Sequence, residues 1–412
     1  MLASAAFSSF SPSANEILNP KLDWQVLETP NFKIHFTPNY KDWAYNAANE
    51  MEHAQNLIKQ QQNRELTEKV DVVVFDPLNN SNGFALAFSH KPFMALYATS
   101  ALSETIISNS DSWPQLLALH EYVHLVHLGQ QDRAKWRNSI RKYHDLYDAY
   151  ASGLNRWVSE GYATLLESKL TGRGRLFDAQ VEATILQYAR EGALPKYSQL
   201  SATSGGYKAG SMAYLVGVRF LAWLEKEYSE QHLDAVWTRM RGEANRNFDK
   251  AFEGIFQQPT SQLYNRFVAE YTQIAMNTEQ QSNTAELWFD ADFELRSPTF
   301  SPDQSKFLAV EASNDASPKY KLSVYETAIN AKAIETFNNQ NEAILKDDPQ
   351  DIADNEPRVF NSKRIKALNS INGKGVSYPR WLNEEVVLYV ASSTDNQGQQ
   401  HQDLFKWDTS TG

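Results

Sequence analysis

Four titratable side chains interrupt the apolar run "LLALHEYVHLVHLG", Leu116–Gly129: His120, Glu121, His124 and His127. On a helix, residues i and i+4 are neighbours, with Cβ atoms about 5–6 Å apart. At that spacing the imidazoles of His120 and His124 can converge on one tetrahedral Zn²⁺, and Glu121, one residue round the helix, is placed to hold a water beside the metal. His127 lies on the same stripe but at i+7 from His120, about 10 Å along the axis at 1.5 Å per residue. Three histidines on one straight helix cannot share an ion over that length, so His127 is expected to be structural or to support a ligand from behind.

Such a zinc needs a third protein donor and one open position. The chain has no cysteine, which removes thiolate donors, disulfides and Cys nucleophiles. The candidate is Glu160 in "RWVSEGYATLLES". From the residues alone, an exposed glutamate near a helix N-terminus, favoured by the helix dipole, is an equally open reading. Gly161 next to it costs about 1 kcal/mol of helix stability against Ala, which close packing on the helix of His120 would explain.

"HEYVH" followed by "WVSEGYATLLES" resembles the gluzincin metallopeptidases, the thermolysin-like and aminopeptidase-like proteins of the peptidase MA clan. The resemblance implies that His120, His124 and Glu160 bind zinc and that Glu121 is the general base of peptide-bond hydrolysis. It also implies that Glu167, seven residues after the ligand, hydrogen-bonds a ligand histidine and so fixes its tautomer. "GGYKAG" resembles the Y-x-K-G segment of the aminopeptidase-like branch, which makes Tyr207 a donor to the oxyanion, although here Lys208 follows the tyrosine directly. The G-x-M-E-N motif of that branch, which recognises a free amino terminus, is absent, so the choice between endo- and exopeptidase stays open. The implied substrate is a peptide or protein, held in extended form along the strand around Phe93–Ala98. The rival expectation is a catalytically silent zincin that serves as a binding scaffold of the cell envelope.

These side chains need a frame. "FKIHF" and "VDVVVF" read as strands and "DWAYNAANEMEHAQNLIKQQQ" as a helix. "SNGFALAF" and "KPFMALYATS" read as two strands joined by a turn at His90–Pro92. From Asp111 the signals are helical. The first helix is capped by Asp111 and Ser112, carries Pro114 in its first turn and stops at Gly129; a second stops at Gly172, and "MAYLVGVRFLAWLEKEY" is a third. The basic stretch "DRAKWRNSIRKYH" reads as a solvated helical face. A small mixed sheet followed by helices is an α+β, zincin-like domain, placed at 23–276.

Residues 277–285 read as a linker. Beyond them, 286–412 reads as all-β: "FSPDQSKFLAV" and "LFKWDTSTG" resemble the WD-type and TolB-type β-propeller repeats. One divergent blade of roughly 40–45 residues would fit between the two copies, and the polar "NNQNEAILKDDPQDIADNEP" reads as a loop insertion. A propeller needs about four to eight blades, so the chain is expected to be the front of a longer protein whose propeller binds a protein partner. The net charge of −11 argues against nucleic acid as a partner, and no stretch reaches the roughly 18 apolar residues of a membrane span. The Ser/Ala-rich start, 1–22, free of charge until Glu16, reads as the remnant of an export signal, which together with the resemblance places the protein in the periplasm or outside the cell.

Overall fold

The computed structural model describes residues 21–76, 81–87, 91–101, 107, 109–143, 154–202, 210–278, 294–312, 320–351, 357–360, 362–369, 376–394 and 400–411. The chain divides into two compact units, Met1–Glu279 and Gln280–Gly412.

The first unit begins with a five-stranded mixed sheet in the order β1-β2-β3-β5-β4. Its strands are β1 (Gln25–Glu28), β2 (Phe32–Phe36), β3 (Val70–Phe75), β4 (Gly83–Leu86) and β5 (Phe93–Tyr97). β2, β3 and β5 are parallel, and β1 and β4 add antiparallel at the two edges. Phe32, Ile34 and Phe36 alternate inward along β2, whereas β3 is buried almost throughout, as a parallel central strand should be. Helix α1 (Lys41–Gln62) packs Ala44, Ala47, Met51 and Ala54 into the same core and ends at Asn63, whose φ of 51° is left-handed. The strand assigned above to hold a peptide, Phe93–Ala98, is not an edge. β5 is hydrogen-bonded on one side to β3 and on the other to β4, so its backbone groups are already paired; the open edge belongs to β4.

Helix α2 (Trp113–Gly129) carries the histidines. Ser112 caps it, its side chain accepting from the Gln115 backbone N–H at 3.4 Å. α2 is buried on almost all sides because it lies between the sheet with α1 and the helices that follow. Those helices are α3 (Lys135–Tyr143), α4 (Arg156–Thr171), α5 (Ala179–Arg190), α6 (Tyr197–Leu200), α7 (Ser211–Glu227), α8 (Glu230–Met240), α9 (Phe248–Phe256) and α10 (Thr260–Asn277). α4 to α10 enclose a second core around Trp157, Phe220, Trp237 and Tyr264.

Two expectations for these helices change. Gly161 makes its close approach to α7 rather than to α2. A Cβ at Gly161 would come 3.1 Å from the Gly217 carbonyl carbon, and one at Gly217 would come 2.9 Å from the Trp157 carbonyl oxygen. The basic stretch is not simply a solvated face either: Arg137 is buried and its Nε lies 3.5 Å from Asp132, while its guanidinium also donates to the Gly242 carbonyl.

The second unit holds two antiparallel sheets. One runs in the order β6-β7-β8-β9, from β6 (Glu294–Phe300), β7 (Lys306–Ala312), β8 (Tyr320–Glu326) and β9 (Arg364–Asn369). The other is β10-β11-β12, from β10 (Val376–Trp381), β11 (Val386–Thr394) and β12 (Gln400–Asp408). Leu308, Val310 and Val324 of the first sheet share a core with Val387, Tyr389 and Trp407 of the second. Among the described residues there is no third sheet between the two copies and no closed ring. The intervening segment instead supplies helix α11 (Ala331–Asp347) and strand β9, which joins the first sheet. The first ten residues of the polar "insertion" continue this helix, in which Ile334, Phe337 and Ile344 recur at helical spacing among Asn, Gln and Glu residues that concealed the period.

Candidate metal centre

α2 and α4 present one stripe each to the other. On α2 the stripe carries His120 and His124, one turn apart; on α4 it carries Glu160 and Glu167, two turns apart. The His120 imidazole is thereby bracketed by two carboxylates. Its Nδ1 lies 2.6 Å from Glu167 Oε2, and its Nε2 lies 3.4 Å from Glu160 Oε2. With Nδ1 committed to Glu167, the remaining lone pair of His120 is on Nε2, which is the arrangement a ligand histidine needs. His124 Nε2 lies 3.2 Å from His120 Nε2 and 3.2 Å from Glu160 Oε2.

Three donor atoms therefore form a triangle with sides of 3.2, 3.2 and 3.4 Å. Donors about 2.0–2.1 Å from a zinc at tetrahedral angles lie roughly 3.3 Å from one another. The triangle matches one face of such a tetrahedron, and its two nitrogens and one carboxylate oxygen are a donor set zinc takes. Among the described residues this is the one group of three or more His, Asp or Glu side chains arranged to hold a metal.

The surroundings supply charge. Glu167 is fully buried, and Arg175 neutralises it with two hydrogen bonds, Nε to Oε1 at 3.0 Å and Nη2 to Oε2 at 2.8 Å. Burial opposes ionisation of Glu167, but the Arg175 and His120 charges outweigh it and hold the carboxyl below its ordinary value. Burial likewise opposes ionisation of Glu160, and His124 and His120 hold its carboxyl well below the usual range. For His120, burial pulls the imidazole pKa down, yet Glu167 and Glu160 raise it to about 9. Glu121 differs from the other carboxylates: burial dominates and pushes its pKa up, making it the more basic group. Its Oε1 occupies space beside β4 that a side chain would contest, since a Cβ at Gly83 would come 3.2 Å from that oxygen and 3.0 Å from Leu117. Gly83 at the start of β4, Glu121 and His120 thus line one cleft of about 340 Å³.

The structure brings together His120, Glu121, His124, Glu160 and Glu167. Tyr207 lies outside the described residues. His127 is elsewhere: buried, 2.8 Å from Gln62 Oε1 and stacked on Trp237 with centroids 4.4 Å apart. Three residues of the site were not foreseen. Arg175 reaches Glu167 because Gly172 and Gly174, with φ of 69° and 94°, turn the chain back after α4. Tyr214 on α7 lies parallel to the His120 ring at 6.1 Å, with the Arg175 guanidinium 4.8 Å from its own ring centroid. Arg156, one turn before Glu160, donates to the Tyr214 hydroxyl at 3.4 Å. One signal pointed to Arg175: a glutamate in the middle of an apolar helix face requires a buried counter-charge.

No family model matches the chain, and no curated protein does. Solved structures do. An M1 zinc metallopeptidase from Deinococcus radiodurans is 16% identical over 61% of this chain and 51% of its own, with a TM-score of 0.36. An aminopeptidase N family protein from Idiomarina loihiensis is 10% identical over 94% of this chain and 67% of its own, with a TM-score of 0.33. The chain spans about half the length of the first of these. The chemistry below rests on the geometry of this site.

Proposed function

We propose that the first unit is a zinc-dependent hydrolase of peptide bonds. The observation that carries this reading is the triangle of His120 Nε2, His124 Nε2 and Glu160 Oε2, with Glu121 buried beside it and lining the same cleft as His120. Zinc, when bound, supplies polarisation of the scissile carbonyl and acidification of water. Glu121 accepts the proton of the attacking water and passes it to the leaving amine. Glu167 and Arg175 keep His120 in one tautomer and one orientation. β4, at the edge of the sheet, is the proposed dock for an extended peptide, and Tyr207 is assigned the donor to the oxyanion.

The two antiparallel sheets of the second unit are proposed as blades of a β-propeller. No helix among the described residues is long and apolar enough to cross a membrane, and the proposed place of action is the periplasm or the exterior. The test is direct: the purified protein should carry about one zinc per chain, as a single closed donor set implies, and should cleave unstructured peptides. Chelation should stop cleavage and added zinc restore it. A protein that carries its zinc yet leaves a broad peptide library intact would overturn the reading.

A further inference from the structure

Two arginines line the cleft, and they are not equivalent. Arg175 is buried, and its charge is spent on both oxygens of Glu167. The Arg156 side chain remains 44% exposed, and its nearest carboxylate, Glu160 Oε1, lies 3.9 Å from Nε, beyond hydrogen-bonding distance. Among the described residues its one hydrogen bond goes to the Tyr214 hydroxyl, at 3.4 Å. That hydroxyl accepts from Arg156, so its own proton is left to donate. Arg156 also sits over the Tyr214 ring, 5.5 Å from the centroid, and this contact fixes the direction in which the guanidinium points.

The cleft also has an apolar lining, from Ile107, Trp113, Leu116 and Leu117. The carboxylates at the site are committed: Glu160 to the donor triangle, Glu167 to Arg175 and Glu121 to the base position. Among the described residues that line the cleft, no acidic side chain is left to meet a substrate amine, whereas one guanidinium and one hydroxyl are left to meet an anion. Building on the hydrolase reading above, we infer that Arg156 and Tyr214 form a substrate anchor that binds a carboxylate close to the scissile bond. A residue spans at most about 3.6 Å, and Arg156 stands 3.9 Å from a donor-set carboxylate. The anchored carboxylate therefore belongs to a residue next to the scissile bond or one beyond it. Either a free C-terminus or an Asp or Glu side chain carries that chemistry. The apolar lining accepts a hydrophobic side chain of the same substrate.

The test uses three N-acetylated peptides built on Ala-Phe-Leu: the free acid, the C-terminal amide, and the amide with Glu in place of Leu. The native zinc-loaded protein should favour the free acid, the Glu peptide or both over the plain amide by about 10- to 100-fold in kcat/KM, carried by KM, as a hydrogen-bonded charge contributes. The free acid and the Glu peptide separate a C-terminal carboxylate from a side-chain one. In Arg156→Gln the preference should collapse towards parity, and Arg156→Lys should keep part of it. The same preference should appear as binding, by calorimetry, to zinc-loaded Glu121→Gln, so the anchor is tested even if no peptide is hydrolysed. Loss of hydrolysis with the binding preference intact counts against the hydrolase reading alone. A native protein that binds all three peptides equally, or a preference that survives Arg156→Gln, overturns the anchor. So does Arg156→Gln weakening zinc and all three peptides by the same factor, because Arg156 would then act by holding Glu160.

Discussion

His120 and His127 stand two turns apart on α2, both buried, and the fold gives them opposite characters. Around His120 the neighbours are carboxylates, and its pKa is raised to about 9. Around His127 the neighbours are Trp237, Tyr162 and the Gln62 amide; burial first, and then the Arg64 charge, depress its pKa well below 6.5. Burial alone therefore does not make a histidine functional. What separates the two positions is what faces them: α4 offers Glu160 and Glu167 to His120, whereas Tyr162 of α4 and Trp237 of α8 form an aromatic wall around His127.

The sharpest way to break this contrast is at the chemical end. Glu121→Gln keeps the shape and removes the base, so kcat should fall by about 10²–10⁴-fold or more while metal analysis still finds the zinc. Hydrolysis at the native rate in that variant would remove Glu121 from the mechanism. The opposite end should respond in stability. His127→Ala leaves a hole beside Trp237 and Tyr162 and should cost about 2–4 kcal/mol in denaturant unfolding, with zinc content unchanged; loss of zinc instead would mean that the two ends are coupled. Glu167→Gln replaces a charged partner of His120 by a neutral one. It should weaken zinc binding by about 10- to 100-fold in a competition titration with a chelating dye.

The smallest effect is in pH. His127 has a folded pKa below its unfolded value of about 6.5, so its contribution to stability is present above that pH and is lost as pH falls. Native protein should lose up to about 1.4 kcal/mol per pH unit below 6.5 from this one group. His127→Gln, which does not titrate, should show a shallower acid limb in thermal unfolding. Equal slopes would mean that His127 protonates freely in the fold.

How much of this was legible follows the range of the contacts. The i, i+4 pair of His120 and His124, the caps of α2 and the stops at Gly129 and Gly172 are local, and the sequence carries them openly. Glu160 could be placed only through a resemblance, because nothing in its own segment says which helix it faces. Arg175 meets His120 across 55 residues and depends on a turn set by two glycines. Tyr214 sits in an apolar helix where an aromatic residue reads as core. The sheet edge was misassigned because β4 and β5 look alike as sequence. Which of the two is interior depends on β5 pairing parallel with β3, and no short motif encodes that choice. α11 was missed because its polar residues outnumber the spaced apolar ones.

The contact between Gly161 and Gly217 has a consequence for how the site can be inherited or rebuilt. Glu160 and Tyr214 stand on two helices whose backbones approach at Gly161 and Gly217 too closely for a Cβ at either position. Neither helix can be exchanged alone for a homologous or designed one without restoring that bare seam. Recombination and grafting will therefore transplant this centre only as a block, with α4 and α7 moving together.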